Sequence, residues 1–141
     1  DIIKDDGDID FYIDAKHRNG LIEIIESSDF KIRINTKDFL QAIKKFGDTE
    51  TFVDFYYYEN EFENDYISEG WTSSNYKDLS IKVPKKFIFP ILTGFLKDIS
   101  VRIPNNAEAC CRFIYGESFM VPLKKISYVI YESIRMESPD D

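Results

Sequence analysis

Asp8-Ile9-Asp10-Phe11-Tyr12-Ile13 alternates strictly, with Ile9, Phe11 and Ile13 on one parity and Asp8, Asp10 and Tyr12 on the other. A period of two is the signature of a half-buried strand. In a strand, Asp8 and Asp10 project from the same face. Gly7 lets the backbone enter that strand through an unusual turn. Two carboxylates on one face repel unless a cation lies between them, and oxygen donors suit Mg²⁺ or Mn²⁺. The run Thr51–Tyr58 (TFVDFYYY) is the most β-rich in the chain, and it sets one acid, Asp54, among aromatics. A carboxylate there is costly to bury unpaired. Asp54 becomes intelligible if its strand lies beside the first and its side chain joins the same ion. The plain alternative is a set of solvated acids. A calcium loop starting at Asp6 is excluded, because Phe11 falls where the sharp turn needs Gly and His17 where a bidentate Glu belongs.

Around these two strands the chain alternates in type. Ala15–Ser27 predicts a helix with Leu21, Ile22, Ile24 and Ile25 as its apolar stripe and Asp14 as its cap. Phe30–Ile34 alternates again and predicts a strand. Thr36–Phe46 carries Phe39, Leu40, Ile43 and Phe46 at helical spacing, which predicts a short helix. A polar stretch, 59–80, holds the single Trp. Phe87–Leu96 is apolar but broken by Pro90 and Gly94. Ile99–Ile103 predicts a strand stopped by Pro104, and Asn105 or Asn106 caps a helix that Gly116 ends. Interleaved strands and helices predict an α/β (α+β) fold with a small mixed sheet flanked by helices.

The length of 141 residues suits one domain spanning residues 1–141. Acids outnumber bases by 26 to 18, giving a net charge of −8. A negative field disfavours nucleic acid and anionic membranes as partners. No apolar run approaches the roughly 20 residues of a spanning helix, so no transmembrane segment is expected. Cys110 and Cys111 are adjacent and cannot staple distant segments; with His17 as the single histidine they cannot build a zinc site. They read as half-buried thiols on a helix and leave the compartment open.

Several pieces in order extend the reading: IIKDDGDIDFYI, TFVDFYYYENE, VPKKFIFPI and ISVRIPNNAEACCRFIYGESFMVP. In order and spacing they resemble the LicD/fukutin family, whose members carry a D-x-D strand followed by a Phe-rich apolar-Asp-apolar strand. Phe87–Pro90, Val101–Pro104, Tyr115-Gly116 and Phe119–Pro122 match the family's later blocks in turn. The resemblance implies a nucleotidyltransferase-like core that moves a phospho-alcohol, such as phosphocholine or ribitol 5-phosphate, from a CDP-linked alcohol donor to a sugar or glycan acceptor. By position, Asp8 and Asp10 resemble the metal pair and Asp54 the third carboxylate; Asp6 matches a position that is often acidic. The catalytic and metal set expected is therefore Asp8, Asp10 and Asp54, with Mg²⁺ or Mn²⁺. Family members hold donor phosphates on a Gly-rich helix start and an Arg upstream of the D-x-D segment, so the chain is expected to be a fragment lacking that donor-binding portion. The Trp-containing stretch usual beyond the last helix is not evident after Pro122. Fukutin-like relatives imply a Golgi lumen, bacterial LicD-like relatives the cytoplasm.

Other residues carry paired readings. Trp71 could stack on the cytosine or the acceptor sugar, or pack as a loop residue. Lys85 and Lys86 could reach donor phosphates, or stand as a solvated pair before a strand. Tyr56, Tyr57 and Tyr58 alternate faces, so some are core and at least one faces out. Tyr115 is expected to pack the last helix and His17 to be solvated. Two other classes remain beside the enzyme: a catalytically silent domain of the same fold that binds a glycan or a protein, and an ordinary acidic interaction module.

Overall fold

A computed structural model describes residues 7–59, 63–70 and 80–121. The D-x-D segment forms β1 (Asp8–Asp14), and the aromatic run forms β4 (Thr49–Glu59). They pair in parallel, with Asp10 opposite Asp54 and Tyr12 opposite Tyr56. Antiparallel strands cannot be assumed from such a pair: a parallel neighbour needs a long crossover, and the chain between supplies α1 (Arg18–Glu26), β2 (Lys31–Asn35) and β3 (Phe39–Phe46). β3 lies antiparallel to β4 on the side away from β1, and β2 lies antiparallel to β3. The local order is β2–β3–β4–β1, a small mixed sheet as expected.

The predicted helix over Thr36–Phe46 is corrected to strand β3. Thr36 explains the start, since its backbone N–H and hydroxyl both donate to the Phe39 carbonyl, and its Oγ1 accepts from the Phe39 N–H. Gly47 explains the end. It turns the chain at φ 62°, a region open to glycine, and Phe46 then pairs with Thr49 across a two-residue loop. Between these turns the residues show apolar groups on both parities. Their helical spacing is incidental to a strand that carries apolar groups on both faces.

One face of the sheet meets α1. Ile25, Leu40, Ala42 and Tyr57 are buried there, with Ile13, Leu21, Ile22, Phe30, Ile32 and Phe55 packed against them. Asp14 does cap, although the element it caps is a short 3-10 turn over Ala15–His17, through its acceptance of the Lys16 N–H at 3.0 Å. His17 is exposed, as expected.

The described residues divide into two compact units, 7–59 with 69–70 and 80, and 63–68 with 81–121. β5 (Tyr66–Gly70) and β6 (Ser80–Pro84) are adjacent strands. In the second unit Ile67, Val83, Ile88 and Cys110 are buried. β6 leads into α2 (Lys85–Ile88), a single helical turn, so Lys85 and Lys86 open a helix instead of preceding a strand. Pro84, fixed at φ −57°, provides the extended residue before that turn. β7 (Leu92–Leu96) and β8 (Ile99–Ile103) form an antiparallel hairpin. Gly94 belongs in β7 because a Cβ there would approach the Ile103 side chain at 2.8 Å. α3 (Ala107–Tyr115) begins at Asn106, whose side chain accepts from the Ala109 N–H at 3.0 Å, and ends at Gly116. Its start is tied to α2 by the Asn105 and Asn106 N–H groups, which donate to the Ile88 and Phe87 carbonyls, and Phe87 meets Phe113. Cys110 is buried and Cys111 half-buried, and neither forms a disulfide. Tyr115 is 42% exposed. Among the described residues, no helix is long and apolar enough to cross a membrane.

Candidate functional site

The face of the β2–β3–β4–β1 sheet opposite α1 holds the acids. Parity and register arrange its side chains in rows that cross the strands. One row is Asp8 on β1, Phe52 on β4 and Ile43 on β3. The next is Asp10, Asp54 and Gln41, and the one after is Tyr12, Tyr56 and Phe39. Successive rows are two residues apart along each strand, about 7 Å. Asp8, Asp10 and Asp54 therefore share one face, and Asp10 and Asp54 are direct neighbours across a parallel pair.

Asp54 is only 8% exposed, although Asp8 and Asp10 at the outer strand are open to solvent. The difference follows from position: β4 is flanked by β1 and β3, whereas β1 has β4 on one side. The buried carboxylate is held by a short polar chain. Gln41 Nε2 donates to Asp54 Oδ1 at 2.9 Å, and Arg33 Nη1 donates to Gln41 Oε1 at 3.4 Å. Arg33 sits at an irregularity in β2, between Ile32 and Ile34, and its guanidinium lies 5.3 Å from the centroid of the Phe52 ring. Burial pushes the Asp54 carboxyl above the ordinary carboxylate value; the Gln41 hydrogen bond opposes this, the Asp8 charge adds to the rise, and Arg33 opposes it.

Gln41 and Arg33 are absent from the sequence-based site. A helix over 36–46 puts Gln41 on no common face with Asp54, so the error in one element removed the partner of the central acid. The Gly47-Asp48 pair between Phe46 and Thr49 was the available signal, since Gly-Asp is a hairpin loop dipeptide.

The aromatic row lies beside the acids. Tyr12 and Tyr56 have ring centroids 6.3 Å apart, and Phe39 and Tyr56 5.1 Å apart, both pairs tilted. Of the three consecutive tyrosines, Tyr57 enters the core while Tyr56 and Tyr58 take the acidic face.

The remaining site residues are placed differently. Asp6 and Trp71 lie outside the described residues. Lys85 and Lys86 belong to the second unit, where the Lys86 ammonium lies 5.4 Å from the centroid of Phe87. Lys86 is exposed and Lys85 half-buried.

Three carboxylates supply an all-oxygen donor set, which suits Mg²⁺ or Mn²⁺. The Asp8 charge acting on buried Asp54 is the repulsion a cation would relieve. As the side chains stand, no group of three His, Cys, Asp or Glu among the described residues is gathered closely enough to hold an ion. Compared with models of known protein families, with curated proteins and with solved structures, the chain gives no match.

Proposed function

We propose that this chain is a metal-dependent transferase domain of LicD/fukutin type. In this reading it moves a phospho-alcohol, of phosphocholine or ribitol 5-phosphate kind, from a CDP-linked donor to a sugar hydroxyl. The observation that carries the proposal is the pairing of Asp10 with Asp54 across parallel strands, with Asp8 on the same face. The resemblance of the four sequence blocks supplies the reaction class. A nucleotidyltransferase-like arrangement of the mixed sheet belongs to the same proposal.

Asp8 and Asp10 would hold Mg²⁺ or Mn²⁺, with Asp54 as the third carboxylate. A bound ion would neutralise negative charge on the donor pyrophosphate and the departing CMP. The protein's own part is orientation. Gln41 restrains Asp54 through Oδ1, so that this carboxylate can align the acceptor hydroxyl and take its proton. Arg33 fixes the Gln41 amide by occupying its oxygen.

The test is release of CMP from CDP-choline, CDP-ribitol and CDP-glycerol, with and without Mg²⁺ or Mn²⁺ and a sugar acceptor. The proposal expects release that requires both metal and an intact Asp8. If no donor turns over and a glycan still binds, the domain is the catalytically silent binding module instead.

A further inference from the structure

We infer that the row Tyr12–Tyr56–Phe39 is the platform on which the ring of the acceptor stacks, and that the ligand of this row is a carbohydrate. The inference rests on the transferase reading and assigns its acceptor side to residues that neither the motifs nor the resemblance identify. α1 packs on the opposite face of the sheet. The three aromatics are half-buried on the acidic face, and their register sets them side by side on β1, β4 and β3.

The chemistry of the two neighbouring rows is complementary to a sugar. A pyranose presents a C–H face and a rim of hydroxyls. Aromatic rings take the first by apolar contact, while ionised carboxylates accept hydrogen bonds from the second. Asp10, Asp54 and Gln41 stand one row away, within reach of hydroxyls projecting from a ring stacked on Tyr56. The rival ligand for acids beside aromatics is an organic cation. An ammonium cage needs rings on several sides of the charge, whereas these three rings stand in line on one face of a sheet, with centroid spacings of 6.3 and 5.1 Å and successive planes tilted by 57° and 50°, so that a sugar ring stacks on one of them, Tyr56, and meets the other two at its sides. A line of rings matches an extended ring ligand better than a compact cation.

The experiment measures binding in the absence of donor and metal, by calorimetry and by ring-proton NMR of the intact chain. The probes are methyl α-glucoside, N-acetylgalactosamine and cellotriose, with choline chloride as the cation arm. At least one sugar should bind and shift the Tyr12 and Tyr56 ring signals. Tyr56→Phe should keep the affinity within about twofold, while Tyr56→Leu and Phe39→Leu should each weaken it about tenfold. Tyr12→Leu, on the outer strand, provides a second site of truncation, and urea titration of each variant establishes that it is folded. Absence of sugar binding, binding of choline in place of sugars, unshifted tyrosine signals, or equal affinity in folded leucine variants would each overturn the inference. The transferase reading is judged separately, by metal-dependent release of CMP to water without any acceptor.

Discussion

The two faces of the β2–β3–β4–β1 sheet use the same strands for opposite purposes. On one, Leu40, Ala42 and Tyr57 are buried under α1 and make few demands beyond shape. On the other, residues of the alternate parity on the same strands set the Gln41–Asp54 hydrogen bond beside the rings of Tyr56 and Phe39. A protein seeking stability alone would have no use for Asp54, since a carboxylate with little exposure and another negative charge nearby raises the free energy of the folded state. The contrast teaches that one face is spent on folding and the other departs from what folding favours. Such departures concentrate at functional sites.

The largest effect that could break this contrast is on turnover. Asp8→Ala and Asp54→Ala should each lower metal-dependent CMP release about a thousandfold, since charge and orientation at the reacting group have no substitute elsewhere. The same variants should remain folded by circular dichroism. Activity within tenfold of the parent would show that the acidic face has some other use.

Next in size is the cost of damaging the covered face. Leu40 is fully buried, and Leu40→Ala should cost about 3 kcal/mol in urea unfolding through lost transfer energy and the cavity left behind. Its neighbour Gln41 faces the other way. A loss at Leu40 below about 1 kcal/mol would mean that α1 does not seal this core.

How far the sequence disclosed these two faces depends on how many faces each strand devotes to apolar residues. β1 and β4 were legible because acids break their apolar runs, and the shared face of Asp8 and Asp10 followed at once; Asp54 joins that face through the parallel pairing of β1 with β4. β3 was not, because Phe39, Leu40, Ala42 and Ile43 put apolar groups on both sides and imitate a helix. The site was legible to the same degree. Its acids came from β1 and β4, while Gln41 and the route to Arg33 were hidden in the misread strand. Lys85 and Lys86 show the other limit: a basic pair in sequence carries no information about which unit it will join. The metal reading, the donor and the acceptor all rest on chemistry and resemblance, which no strand pairing can supply.

A smaller effect sharpens the comparison through pH. Burial holds the Asp54 carboxyl above its ordinary value of 3.8, so the folded state keeps this proton at pH values where the unfolded chain has lost it. The stabilisation linked to Asp54 is thus present in acid and is lost as pH rises through the folded-state value. Asp54→Asn, which keeps an acceptor for Gln41, should gain about 1 kcal/mol at pH 7 in metal-free buffer. That gain should shrink as pH is lowered toward 3.8. Mg²⁺ should stabilise the parent and leave Asp54→Asn nearly unchanged, because an ion that binds the folded state shifts unfolding by mass action. A gain independent of pH would assign the effect to packing.

The smallest expected effect concerns a polar atom on the covered face. Tyr57 is buried in the core, and among the described residues its hydroxyl has no hydrogen-bond partner. Desolvation pushes that hydroxyl's pKa above 10.0, with the Arg18 charge opposing the rise. The guanidinium lies 5.3 Å from the ring centroid, against the ring itself, so it offers cation–π attraction that phenylalanine would retain. Removing the oxygen should therefore recover its desolvation cost while leaving the ring contacts intact. Tyr57→Phe should be stabilising by about 0.5–1 kcal/mol in urea unfolding, with no pH dependence below pH 9. Tyr56→Phe, one residue away on the acidic face, should not give the same gain. If Tyr57→Phe destabilised the protein by more than about 1 kcal/mol, the hydroxyl would have to be a bonded part of the fold, and the division between the two faces would be less clean than their side chains indicate.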